Sequence, residues 1–207
     1  MLKLYGTPPT RALRVIWLLE ELGLEYEMHP VDILNGDARQ DRVLALNPAG
    51  KVPILVDGDL VLTESAAIQL YLAEKHPEAG LIPDRIEERA ELYRWTFFLV
   101  TEIEQPLWRI ARNTTLYPEE RRSARDIETA TRECKEMVAV LERHMDGREF
   151  VVGDRLSVAD FNAAYTLDWA NEAGMLGEAP RLRAYLKGMY ARPHVPPTIA
   201  EAFRAQG

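Results

Sequence analysis

The sequence predicts an α/β domain followed by an all-helical one. Three observations carry this: the order of short apolar runs in the first 80 or so residues, the turn signal Asp57-Gly58 between two of them, and a purely helical grammar from Glu87 onward. At 207 residues the chain can hold two small domains or one large one.

Lys3-Leu4-Tyr5 reads as a strand. Thr10 to Leu22 reads as a helix with Thr10 as its N-cap and Gly23 as its stop. Leu13, Val15, Ile16, Trp17, Leu18, Leu19 and Leu22 cover most of its circumference, as expected of a helix packed on a sheet. Tyr26 to Val31 is a second strand, and a short helix lies near Arg39–Leu46. Val52–Val56 and Leu60–Leu62 form a hairpin about Asp57-Gly58. A helix from Ser65 to Lys75 completes the order βαβαββα.

The prolines and glycine of His76–Pro83 mark the passage to the second half. The division falls as 1–79, a linker over 80–86, and a helical domain over 87–207. Pro106 must interrupt or kink its helix, because it lacks an amide donor and clashes with the preceding turn. Ala124, Ile127, Thr131, Cys134, Met137, Val138, Leu141 and Met145 form one stripe of a long amphipathic helix closed by Gly147. Ser157-Val-Ala-Asp160 has the spacing of a capping box, flanked by Leu156 and Phe161 at the staple positions.

Hydrophobic residues make up 47% of the chain and charged residues 28%, the balance of a globular protein. The net charge of −8 argues against nucleic acid or an anionic membrane as the main partner. A single cysteine, Cys134, precludes an internal disulfide, a Cys-x-x-Cys redox pair and a cysteine zinc cluster. The histidines at 29, 76, 144 and 194 lack metal-ligand spacing, so no metal is expected. The start moves straight into strand-like sequence without a leader pattern, and the expected setting is the cytoplasm.

One stretch carries chemistry: Asn47-Pro-Ala-Gly-Lys-Val-Pro53, followed by Glu64-Ser65. It resembles the glutathione-binding site of cytosolic glutathione transferases. The resemblance spans essentially the whole chain, through Leu4-Tyr5, Trp17–Gly23, Asp57-Gly58, Glu64–Ile68 and the Ser157–Asp160 box. The first helix is most similar to the bacterial and fungal branch reading Ser-Arg-x-x-Arg, with Thr10-Arg11-Ala12-Leu13-Arg14 in its place. The resemblance implies a thioredoxin-like N-terminal domain and an all-helical C-terminal bundle. It implies an enzyme, glutathione S-transferase, acting on glutathione as co-substrate and an electrophilic small molecule, and a homodimer.

Carried over residue by residue, it implies a cis Val52–Pro53 bond whose valine amide and carbonyl pair with the cysteinyl backbone of glutathione. Glu64 receives the γ-glutamyl amino group, and Ser65 with the first helical amides receives its carboxylate. Lys51, and with it Arg39, pairs with the glycyl carboxylate. The thiol-activating group is open among Thr10, Tyr5, Thr7 and a backbone amide, since the Thr-Pro-Pro-Thr loop at 7–10 departs from the family's usual serine, tyrosine or cysteine. Thr10 would donate a hydrogen bond, with Arg11 and Arg14 adding positive potential, although a helical arginine most often faces solvent. The acceptor candidates are Glu102, Gln105, Trp108, Arg109 and Arg112, around Pro106. Alternative readings are a glutathione-dependent disulfide or peroxide reductase and a non-catalytic glutathione-binding protein.

Overall fold

The computed structural model describes residues 1–205. The chain divides into two compact units, Met1–Ile82 with the segment from Arg192 on, and Pro83–Ala191. The helical domain therefore ends at Ala191 and not at 207. The segment beyond is tied to the first unit by Arg192, whose Nη2 lies 3.2 Å from Glu21 Oε1.

The first unit is built on a four-stranded sheet in the order β2-β1-β3-β4. Its strands are β1 (Leu2–Tyr5), β2 (Tyr26–His29), β3 (Ile54–Asp57) and β4 (Leu60–Thr63). β1 pairs parallel with β2 and antiparallel with β3, and β3 pairs antiparallel with β4. The helices are α1 (Ala12–Glu21), α2 (Asp41–Leu44) and α3 (Ser65–Lys75), with α9 (Ile199–Arg204) in the C-terminal segment. Register partners Leu4 and Leu55 are fully buried on one sheet face. On the other, Ile54 packs with Val31, Ala38 and Val43, and Tyr5, Leu46 and Val52 close around them.

The boundaries move for identifiable reasons. β2 stops at His29 and not at Val31 because Pro30 has no amide to give the ladder. Val31 is held instead by the Thr7 side chain, which donates to its carbonyl and accepts from its amide, each at 3.0 Å. β3 starts after Pro53, and the hairpin turns on Gly58-Asp59, not on Asp57-Gly58, because Asp57 still pairs with Leu60. Gly58 supplies the positive φ that opens this two-residue connection. α1 closes in a Schellman motif: Gly23 donates to Glu20 O at 3.1 Å and Leu24 to Leu19 O at 3.0 Å.

The second unit is helical among its described residues. It comprises α4 (Ile86–Phe98), α5 (Glu104–Ala111), α6 (Ala124–His144), α7 (Val158–Glu172) and α8 (Pro180–Tyr190). Pro106 interrupts the helix as expected: a wide, π-type turn over Leu99–Ile103 separates α4 from α5, and a second, Arg112–Leu116, follows α5. Ser123 caps α6 by accepting from Asp126 N at 3.2 Å. The Glu142 carboxylate caps α8 from a distance, taking the amides of Arg181 and Leu182, each at 3.0 Å.

The capping box at α7 forms. Asp160 also accepts from Val151 N at 2.8 Å and from the Tyr185 hydroxyl at 2.8 Å, besides Ser157 N at 2.8 Å. Burial raises the pKa of this carboxyl despite its donors. The Ser157 hydroxyl at 3.0 Å is a fourth donor, so truncating the carboxyl strands three buried donors and the half-buried Tyr185 hydroxyl at once. Asp160→Ala is expected to lower the unfolding free energy by about 3 kcal/mol or more in urea titrations.

His144 stacks on Trp95 with ring centroids 3.9 Å apart, and its Nε2 lies 2.8 Å from Val151 O. Burial lowers its pKa from 6.5. The unfolded chain then binds a proton that the native one refuses, so this contribution is complete above 6.5 and is lost as pH falls through the folded value. His144→Gln should flatten the fall of unfolding free energy between pH 7.5 and 5.5.

Candidate functional site

The C-terminal ends of β1 and β2, the start of β3 and the β4–α3 corner place the expected glutathione residues in one unit. The Val52–Pro53 bond is cis, as is Pro8–Pro9, which the sequence reading did not foresee. Among the described residues nothing bonds the amide or carbonyl of half-buried Val52. The loop leading to it is pinned by Asn47, whose side-chain amide donates to Lys51 O at 2.8 Å while its oxygen takes Ala49 N at 3.1 Å. Gly50 completes the turn at φ +59. A Cβ there would sit 2.9 Å from Arg39 Nη1, so the Arg39 guanidinium lies against this loop. Arg39 and Lys51 are both exposed, and neither meets a carboxylate among the described residues.

Glu64 is the junction between β4 and α3, at φ 67 and ψ 111. A non-glycine residue in this region is rare and costs roughly 1–3 kcal/mol, so the surrounding structure must enforce it. Its side chain is exposed, with no carboxylate contact among the described residues. Ser65 follows as the first residue of α3 and is 5% exposed. Its hydroxyl accepts from Arg14 Nη1 at 3.2 Å. Arg14 does not face solvent: it is completely buried. Trp17 and Leu18, one turn on, are buried with it, but Thr10 and Arg11 stand one turn before, so the α1 sequence alone leaves its direction open.

The three hydroxyl candidates separate by what they already hold. Tyr5 is a β1 residue stacked on His29 at 4.4 Å between centroids. The Thr7 hydroxyl is spent on the backbone of Val31, its proton included. Thr10 is not the N-cap of α1, which is Arg11, but stands one residue before it; its oxygen accepts from Ala12 N at 3.2 Å, which uses a lone pair and leaves the proton unclaimed among the described residues. Arg11 follows, half-buried at the N-cap of α1.

The acceptor candidates lie in the helical unit. Glu102, in the π-type turn, and Gln105 are exposed, and Trp108 is half-buried, edge-on to Trp169 at 6.4 Å. Arg112 lies over the Tyr117 ring at 5.5 Å. Arg109 is committed elsewhere: its guanidinium pairs with Asp126 and Glu133 on α6. These carboxylates raise its pKa, and in return it holds Asp126 below the usual range. Cys134 is fully buried, and burial pushes its thiol up to about 12. No cluster of three or more histidine, cysteine or acidic side chains among the described residues is placed to hold a metal. No helix among them is long and apolar enough to cross a membrane.

Residues 1–74 match the glutathione S-transferase N-terminal domain, and residues 98–193 match the C-terminal domain. The chain is 32% identical to glutathione S-transferase 3 of Zea mays, over 96% of this chain and 93% of that one. It superimposes on glutathione transferase F7 of Populus trichocarpa with a TM-score of 0.84, 26% identity and full coverage of both chains. A glutathione transferase family member from Pseudomonas fluorescens, solved with two glutathione bound, gives 0.81 at 27% identity, over 97% of this chain and 91% of that one. Two domain matches in order, and a relative of this identity along nearly its whole length, make this chain a member of the glutathione S-transferase family.

Proposed function

We propose that the chain conjugates glutathione to an electrophilic small molecule, with Thr10 as the group that stabilises the thiolate. Glutathione lies along Val52–Pro53 by its cysteinyl backbone. Its γ-glutamyl amino group meets Glu64, its α-carboxylate meets Ser65 and the α3 N-terminus, and its glycyl carboxylate meets Arg39 and Lys51. In branch terms the chain is Ser-Arg-like, with threonine in place of the serine.

A free thiol has a pKa of about 8.5, so little thiolate exists at neutral pH. Lowering it two units takes about 2.7 kcal/mol of preferential thiolate stabilisation. A hydroxyl donor to an anion contributes about 1.5–3 kcal/mol, and a helix N-terminus about 0.3–2. Thr10 with the start of α1 is sufficient, and Arg11 adds positive potential. The observation that carries the reading is the Thr10 hydroxyl, whose oxygen accepts from the first amide of α1 while its proton stays available. The thiol proton leaves to solvent, the sulfur forms a bond to the electrophilic carbon, and the leaving group departs with its electron pair.

The electrophile is assigned to Glu102, Gln105, Trp108 and Arg112 of the helical unit. Arg109 supports them by fixing α5 to α6. Homodimeric assembly is proposed on family membership alone.

One observation favours a second activity. The Pseudomonas fluorescens relative holds two glutathione, and a site of that kind suits thiolate attack on a mixed glutathione disulfide, which yields oxidised glutathione and the freed thiolate. The attacking sulfur would belong to glutathione, since Cys134 is buried.

Thiolate absorbance of bound glutathione should titrate well below 8.5, and a value left near 8.5 overturns the mechanism. Thr10→Ala is expected to return it toward 8.5 and cut kcat about ten- to hundred-fold, whereas Thr10→Ser retains most of both. Aryl halides and mixed glutathione disulfides, assayed side by side, separate the two activities. Glu64→Gly relieves the backbone, so unfolding free energy should rise by about 1 kcal/mol while glutathione affinity falls more than ten-fold.

A further inference from the structure

We propose that Arg14 is a positioning residue that aims the Ser65 hydroxyl at the α-carboxylate of the γ-glutamyl group. This rests on the reading of the first unit as a glutathione site. Arg14 is 0% exposed and cannot reach a ligand from its place inside α1. It acts through the serine.

A guanidinium carries five N–H donors and no acceptor. Ser65 Oγ takes one of them from Arg14 Nη1 at 3.2 Å. With an oxygen lone pair fixed in that bond, the serine proton has to turn away from Arg14. Ser65 is the first residue of the 11-residue α3, whose leading amides also present protons there. The hydroxyl thereby becomes a donor of set direction, backed by a charge that water does not screen. The arrangement is held from a second point, because the Gln69 side-chain amide donates to Arg14 O at 2.7 Å. α1 and α3 are thus clamped at the arginine itself. The ligand group that gains from a donor, a helix N-terminus and a buried cation is a carboxylate, not the amino group beside it.

A purely structural role for the clamp would affect all ligands alike, and that separates the two. Calorimetric titration of the full chain with glutathione is compared with 4-aminobutyryl-cysteinyl-glycine, which keeps the amino group and lacks the α-carboxylate. Arg14→Met is expected to weaken glutathione about ten- to hundred-fold and the analogue less than about three-fold. Arg14→Lys should recover part of the glutathione affinity. Equal weakening of both ligands, or weakening of neither, overturns the proposal.

If the methionine variant fails to fold, Arg14→Lys and the wild type decide the matter. The lysine variant should still weaken glutathione more than the analogue. In the ¹⁵N-labelled wild type, the Arg14 guanidinium resonance should shift on saturation with glutathione and stay in place with the analogue; identical responses to the two overturn the proposal. Wild type that binds neither ligand removes the glutathione reading itself, an outcome distinct from either of these.

Discussion

The proposed γ-glutamyl end of the site depends on the corner where β4 becomes α3. A strand that ran straight into its helix would point Glu64 and the leading α3 amides in unrelated directions. Holding Glu64 at φ 67 turns the chain within one residue. The exposed carboxylate and the helix N-terminus then emerge side by side, opposite in charge character. The conformation is costly, and the clamp beneath it, Arg14 to Ser65 and Gln69 to Arg14, supplies the fixed surroundings that enforce it. The corner is a strained point braced by a buried charge.

The sequence revealed those parts of the site whose chemistry is local. A proline after Val52 must stand at a strand entrance, and a serine after a strand must begin a helix; both hold in the structure. The order of strands and helices followed from periodicity for the same reason; boundaries shifted by a few residues, at β2 and β3 because Pro30 and Pro53 have no amide to give a neighbouring strand, and at the start of α1, which is Ala12 and not Thr10. The burial of Arg14 was not legible because helical arginines face solvent as a rule, and only the packing of α1 against α3 decides otherwise. The choice between Thr7 and Thr10 was closed to sequence reasoning too. Two threonines three residues apart look alike until Val31 arrives from another part of the chain to occupy one of them.

The helical unit uses charge differently. Arg109 reaches α6, and the α6 carboxylate of Glu142 reaches the start of α8. Paired and hydrogen-bonded ions of this kind set which helix faces meet, since each is costly if its partner is absent. The wide turns on either side of α5 leave that helix a short regular segment between two irregular ones, with Trp108 in its middle and Arg112 opening the second turn.

The burial of Cys134 has a consequence for how this protein responds to oxidants. A thiol pushed up to about 12 exists as thiolate in only about one molecule in 10⁵ at neutral pH, and none of its surface meets solvent. Peroxide and disulfide stress therefore find no exposed cysteine thiolate to cap, bridge or overoxidise. A chain that handles a redox-active tripeptide thus keeps its own single cysteine out of thiol–disulfide exchange.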